Sequence, residues 1–543
     1  MLKKNDQIPL TIEGIMSDGN GIGHWEGMAV FVPGTAPGDE ITAQIVKVHP
    51  RYCYAIVKEL ASPSPQRIPM DCPAGARCGG CSLRHISYEE ECRCKAGWVQ
   101  DCFVRLGKID APMEEILPSP QRDRYRNKAQ YPFALVDGRP RAGFFARRSH
   151  RIIPCGRDCL LQPEIFGQIV AAVEDFLAEK KISIYDEASH RGLVRHLFLR
   201  QAEYTGQIMV CLVINGRRLP CGEEFAARLR EQFPAVSSIL LNVNTQRTNV
   251  ILGQECIPLW GETAVTDALL GVHLRISPLA FYQVNRRAAE QLYAAARQYA
   301  ALTQEDVLLD LYCGTGSIGL TMARDVKKLY GVEIIPQAVE NARENARLNG
   351  LDNAEFFCCD ASDTGSFLNE KGIRPTVVVL DPPRKGCGPD VVELVAGLAP
   401  RRVVMISCNP ATAARDCALF ARQGYRVERY RPVDLFPRTA HVETVVLLSK
   451  LNTKQHIEVE LNLDELDLTS AESKATYDEI KAYVLEKHGL KVSSLYISQV
   501  KRTCGLDVGQ NYNLSKKEDA KVPQCPLEKE AAIMDALKHF QMI

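Results

Sequence analysis

Between residues 305 and 450, short apolar runs recur, separated by stretches whose apolar residues fall at helical spacing. Val307–Leu311, Lys328–Val332, Ala354–Cys358, Thr376–Leu380 and Arg402–Ile406 predict strands, and Pro336–Leu348 predicts one of the helices between them. Two more strands are expected near Arg426–Val433 and Val442–Ser449. Strands this uniformly apolar, alternating with helices, predict a mainly parallel sheet covered on both faces. The first 61 residues follow a different pattern. Short runs such as Met28–Val32 and Ile41–Val46 are punctuated by Gly14, Gly19, Gly21, Gly23 and Gly27, and Pro37-Gly38 marks a tight turn. This segment reads as all-β. Ser62-Pro63-Ser64-Pro65 reads as a linker, and Cys72 to Cys102 as a Cys-rich, turn-rich stretch. Residues from about 122 to 275 mix strands with helices, the helical candidates being Pro163–Lys180 and Glu223–Gln232. The expected divisions are therefore 1–61, all-β; 62–275, α+β; 276–450, α/β; and 451–543, a C-terminal extension. In the extension Ser470 is placed to cap a helix running to about His488, with a second helix after Ser493-Ser494. A small helix-turn-helix, an interaction module and a loosely ordered tail all fit it.

The 543 residues, 46% of them hydrophobic, suffice for three or four domains. Lys plus Arg and Asp plus Glu number 66 each, so only local charge clusters can speak of a partner. Met1–Gln7 lacks the apolar core of a signal peptide, and no apolar stretch is long enough to cross a bilayer. A cytoplasmic location without membrane contact is expected. In that compartment twenty cysteines do not form a disulfide framework, and their spacing carries the information.

Gly314, Gly316 and Gly319 spell G-x-G-x-x-G between a strand and a helix, and Glu333 ends the next strand. Glycines let backbone approach a ligand closely, and an acid there accepts bonds from ribose hydroxyls. This much fits a nicotinamide dinucleotide or S-adenosylmethionine. Asp381-Pro382-Pro383-Arg384 follows a later strand, and D-P-P turns at this place are common in methyltransferases. One strand further, Ser407-Cys408-Asn409-Pro410 puts a thiol at the sheet's carboxyl edge, where open α/β sheets bind ligands. A thiolate is a strong nucleophile. Added to C6 of a pyrimidine, it delivers electron density to C5, which then takes a methyl group. A base must next remove the C5 proton. Glu443, in Ala440-His441-Val442-Glu443-Thr444, is the candidate, and His441 competes with it.

Cys72-x5-Cys78-x2-Cys81 lies in a Gly/Pro-rich loop that lets three sulfurs converge. A fourth ligand must come from elsewhere: Cys159 is the choice, with Cys155 a near competitor. Four thiolates suit an iron–sulfur cluster or Zn²⁺, and spacing favours neither. Arg51-Tyr52 and Tyr54 set charge beside aromatic rings, as nucleic-acid binding requires. Arg122–Lys128 and Arg147–Arg151 are further basic runs, and Phe281 and Tyr282 are candidates to stack on a base.

Taken with Ser277 to Asn285 and Asp310 to Gly316, these motifs make residues 1 to about 450 resemble the RNA (uracil-5-)-methyltransferase family, in its iron–sulfur ribosomal branch. The resemblance implies a class I, Rossmann-like methyltransferase domain behind an N-terminal TRAM barrel. It implies Cys408 as nucleophile and Glu443 as proton acceptor. It implies Gln283, Tyr312, Glu333 and Asp381 as contacts to S-adenosylmethionine. It further implies a [4Fe–4S] cluster on Cys72, Cys78, Cys81 and Cys159. The implied substrate is 23S ribosomal RNA, with transfer RNA as the alternative; a non-catalytic RNA-binding or assembly factor is the alternative from a different class, and a monomer is expected.

Overall fold

The computed structural model describes residues 2–75, 77–147, 149–451, 477–503 and 525–539. They fall in two units, Met1–Gln455 and His456–Ile543.

Alternation of buried and exposed positions shapes the N-terminus. Gln7–Thr11, Asn20–Trp25, Met28–Pro33 and Glu40–Val48 bury alternate side chains around Ile8, Val30, Val32, Ala43 and Ile45. With Gly14–Ile15 and Tyr52–Ser62 they form one mixed six-stranded sheet. Glu13 N–H donates to Ile22 O at 2.8 Å, extending the pairing of Gly14–Ile15 with Asn20–Trp25. The Ser62–Pro65 stretch is not a free linker. Ser64 is buried, its amide donates to Asp39 at 2.9 Å, and its hydroxyl donates to Pro37 O at 2.6 Å.

The Cys-rich stretch is turn-rich only as far as Ile86. From there Ser87 caps helix α1, Tyr88–Asp101. Its acidic first turn and scattered cysteines hide the apolar stripe that would have announced it. On its inner face, Lys95 Nζ meets Glu91 at 2.7 Å and Asp434 at 2.6 Å, with all three side chains fully buried. Removing one member of such a group strands an unpaired charge and costs about 3–5 kcal/mol. Next along the chain, Phe103 stacks on Tyr430 at 4.1 Å. The following six-stranded sheet runs Glu255–Gly261, Val236–Val243, Ile208–Ile214, Val194–Gln201, Lys128–Val136, Arg139–Ala142. Helices Glu164–Glu179 and Gly222–Gln232 cover it, close to the predicted bounds.

Seven strands form the last sheet: β1 Val307–Leu311, β2 Lys328–Glu333, β3 Ala354–Cys358, β4 Val377–Leu380, β5 Arg402–Ser407, β6 Tyr425–Val433 and β7 Glu443–Lys450. Their order is β3-β2-β1-β4-β5-β7-β6. The first five are parallel, and β7 runs antiparallel to β5 and β6. This is the class I methyltransferase arrangement, with its switch point between β1 and β4. The hairpin Val265–Leu269/Val272–Ile276 shares this sheet's core.

In the second unit, helices Tyr477–His488, Ser494–Thr503 and Leu527–His539 close around Ile480, Val484, Ile497, Ile533 and Leu537. The proposed cap at Ser470 lies outside the described residues, as does Arg148. Among the described residues no helix is long and apolar enough to cross a membrane.

Candidate active site and cysteine cavity

Strand register brings the sequence-predicted residues together. Leu311 pairs with both Val332 and Leu380, so Tyr312, Glu333 and Asp381 leave three adjacent strands side by side. Tyr312 takes a left-handed φ of 64°, a strained turn for a side chain of that size. Gly316 has φ 80° at the start of the next helix, and a Cβ on Gly319 would meet Asp310 Oδ2 at 2.7 Å. Gly319 N–H donates to that oxygen at 2.8 Å. Glu333 accepts from Gly314 N–H at 3.1 Å and from Ile335 N–H at 3.0 Å. Gln283 is buried, and its amide reaches Tyr293, whose hydroxyl lies 3.3 Å from Ser317 Oγ.

Three carboxyls crowd this edge. Burial pushes Asp310 up to about 8, with Asp381 and Glu333 adding repulsion. Its Oδ1 is buried without a hydrogen-bond partner. Burial pushes Asp381 up to about 7. A cationic sulfonium beside this row would favour the carboxylate forms, so the residues present fit S-adenosylmethionine.

Cys408 stands at the end of β5. Met405 pairs with Val446 and Ser407 with Thr444, so the next step of the register sets Cys408 across from Glu443. The thiol lines a groove of about 490 Å³ together with Arg384, Asn409 and His441. Asn409 caps helix α2, Pro410–Arg422, by accepting from Ala411 N–H at 3.1 Å. Its amide also donates to Arg384 O at 3.2 Å, tying the D-P-P-R turn to the thiol. Burial raises Cys408 to about 11; Glu443 adds to the rise and Arg384 opposes it. Burial raises Glu443 to about 8, again against Arg384. His441 is held near 4 by burial and by the charges of Arg384, Lys95 and Arg126. Of the two candidate bases, Glu443 binds its proton far more tightly. Arg384→Gln is expected to raise the Cys408 proton affinity further. Iodoacetamide capture at Cys408, followed by peptide mass spectrometry at pH 8, should slow roughly three- to tenfold.

Two features of the groove escape the sequence. Arg384 sits in the D-P-P-R turn, where the motif alone gives it no role beside the thiol. The far wall of the groove comes from the barrel, through Gly14–Ser17 and Ile22, held there by Trp98 Nε1–H donating to Ile15 O at 2.6 Å. Other expectations are revised. Tyr282 is core, its hydroxyl on Asp267 at 3.1 Å, and Phe281 alone of the pair is exposed. Part of the Arg122–Lys128 run braces the chain: Arg122 lies over the Tyr88 ring with its own side chain half-exposed, and Arg124 donates to Cys159 O and Gln162 O.

Cys72, Cys78, Cys81 and Cys159 line a single cavity of about 240 Å³, and so does Cys155. The neighbouring Cys155 thiol holds Cys78 below the usual thiol range, while burial and neighbouring thiols raise Cys81 to about 12. Among the described residues no three His, Cys, Asp or Glu side chains stand close enough to hold a single metal ion.

Fold and strand-edge chemistry define an S-adenosylmethionine-dependent methyltransferase. Comparison with known proteins narrows this. Residues 204–451 match the tRNA (uracil-5-)-methyltransferase model, and residues 2–58 match the TRAM domain. An uncharacterized RNA methyltransferase of Clostridium tetani is 41% identical over 84% of this chain and 98% of its own. One of Halalkalibacterium halodurans is 40% identical over 83% and 98%. The crystal structure of Pyrococcus abyssi tRNA (uracil-54, C5)-methyltransferase with S-adenosyl-L-homocysteine superposes with a TM-score of 0.66 at 26% identity. That match covers 81% of this chain and all of that one. The chain belongs to the RNA (uracil-5-)-methyltransferase family and is an RNA methyltransferase.

Proposed function

We propose that the protein methylates C5 of a uracil in 23S ribosomal RNA through a covalent bond from Cys408 Sγ to C6. The observation that carries this reading is the register that sets Cys408 against Glu443 beside Asp381. Cys408 Sγ, once its proton has passed to solvent, adds to C6 as the thiolate, and the C5–C6 π electrons move onto the C4 carbonyl oxygen. S-adenosylmethionine, when bound, supplies the methyl group that C5 takes up. Glu443 then removes the C5 proton, the C5–C6 double bond re-forms, and the Cys408 thiolate leaves. Gln283, Tyr312, Glu333 and Asp381 hold the methyl donor. The target base reaches the groove only when turned out of its helix. Exposed Phe281, two residues before Gln283, is a proposed stacking partner for RNA, and Phe31, His49, Tyr52 and Tyr54 cluster on the barrel as a second stacking surface.

A 23S substrate follows from the resemblance to the iron–sulfur ribosomal branch. Transfer RNA is the second reading, favoured by the structural likeness to the Pyrococcus abyssi tRNA (uracil-54, C5)-methyltransferase. Mapping 5-methyluridine in cells with and without the gene decides between them. Loss of the mark from 23S RNA supports the first, loss from transfer RNA alone the second.

Cys72, Cys78, Cys81 and Cys159 are proposed to hold a [4Fe–4S] cluster. The cavity is larger than one ion needs, and Arg84, Arg126 and Lys128 line it with the positive charge a tetrathiolate cluster calls for. The cluster would act as a cross-link, since methyl transfer moves no electron. Anaerobically purified protein is expected to be brown and to bleach on reduction, and Cys81→Ala to be colourless. Colourless wild-type protein holding one zinc per chain would overturn the assignment.

A further inference from the structure

The segment joining β6 to β7 carries Glu443 at its end, and it is fixed residue by residue from outside its own sheet. Asp434 accepts from Lys95 at 2.6 Å and from the Tyr88 hydroxyl at 2.8 Å. Leu435 O accepts from Asn285 at 3.0 Å, and Phe436 O accepts from Lys95 at 3.1 Å. Pro437 O accepts from the Tyr125 hydroxyl at 2.9 Å. Arg438 N–H donates to Glu91 at 2.6 Å, and Arg438 O accepts from Ser82 and Leu83 N–H at 3.0 and 3.1 Å. Arg438 is itself held at φ 70°, a strained conformation that these bonds maintain. Lys95 binds two points of the segment at once and also pairs with Glu91, which holds a third. Two residues after the last of these anchors, Ala440 and His441 enter the groove beside Cys408. A purely stabilising contact would not need to grip five consecutive residues next to a reacting group.

We propose that Lys95 is a positioning residue for the proton-removal step: through Asp434, Phe436 and Glu91 it fixes the 434–439 segment and so the placing of Glu443 against Cys408. This rests on the roles given to those two residues above. Lys95 touches neither base nor methyl donor; apart from the effect of its charge on His441, it acts through the segment it grips.

The test separates bond formation from release. With 5-fluorouridine RNA the adduct forms and stays, because fluorine at C5 leaves no proton to remove. With ordinary RNA, turnover needs Glu443. Lys95→Met/Glu91→Gln removes a charge of each sign. It is expected to form the fluorinated adduct within about twofold of wild type at unchanged RNA KM. Its kcat on ordinary RNA should fall about ten- to a hundredfold, with methylated RNA accumulating as an SDS-stable adduct. Tyr88→Phe removes one hydroxyl and no charge, and shows the same split to a lesser degree. It carries the test if the double variant does not fold. Equal loss of both steps, or wild-type release in a folded variant, overturns the proposal. If wild-type protein forms no fluorinated adduct, the underlying reading has failed, and not the positioning.

Discussion

Cys408→Ala is expected to abolish methyl transfer, by about 10⁴-fold or more, the scale on which loss of a covalent nucleophile acts. It should bind S-adenosylmethionine as wild type does, because the thiol lies one strand beyond Asp381 and makes no contact with Asp310 or Glu333 that holds the glycine loop in place. It should also keep its melting temperature within a degree or two, since the thiol is half-buried at a groove and removing it opens no enclosed cavity. RNA binding measured by filter retention, cofactor binding by calorimetry and methyl transfer with labelled donor give three separate readings. Retained transfer in Cys408→Ala would mean that C5 attacks without covalent help. The carboxyls at the strand edge would then have to polarise the ring unaided. Loss of all three readings would mean a folding defect and a different role for the sulfur.

How far such a site can be read from sequence depends on the range of the interactions that build it. Strand–helix alternation is local, and the strand series matched within a residue or so: Lys328–Val332 lengthened to Glu333, and Arg402–Ile406 to Ser407. Once the strands are placed, parallel register alone brings Tyr312, Glu333, Asp381 and Cys408 to one edge. Glu443 was legible because its motif opens the last strand. Helix α1 was not, since its buried face is polar and becomes intelligible only with Asp434, 339 residues away. Nothing in the local pattern of Lys95 distinguishes it from a solvated lysine. The barrel wall of the groove was hidden for the same reason: Trp98 and Ile15 meet across domains. In the basic run at Arg122–Lys128, the ties of Arg124 to backbone carbonyls elsewhere in the chain were hidden too, because charge density does not announce such partners.

Glu443→Gln is expected to separate the two halves of the reaction. Release slows about 10²- to 10⁴-fold, the range for loss of a general base, and the methylated adduct accumulates on denaturing gels. The first half should respond in the other direction. In wild-type protein the Glu443 anion raises the Cys408 proton affinity. Glutamine carries no charge, so the thiolate forms more readily, and adduct formation on 5-fluorouridine RNA should reach its plateau at lower pH. The wild-type rate should climb as pH rises through about 8, where Glu443 becomes the base, while the variant's adduct formation lacks that step. Stability supplies an independent check on the same carboxyl. Its proton affinity is raised on folding, so between about 4.5 and 8 the folded chain holds a proton that the unfolded chain releases, and stability falls as pH rises. The glutamine variant escapes this loss and should melt above wild type at pH 9 but not at pH 4. If both proteins show the same pH dependence of melting and of adduct formation, Glu443 does not titrate beside Cys408, and the base must be sought at His441.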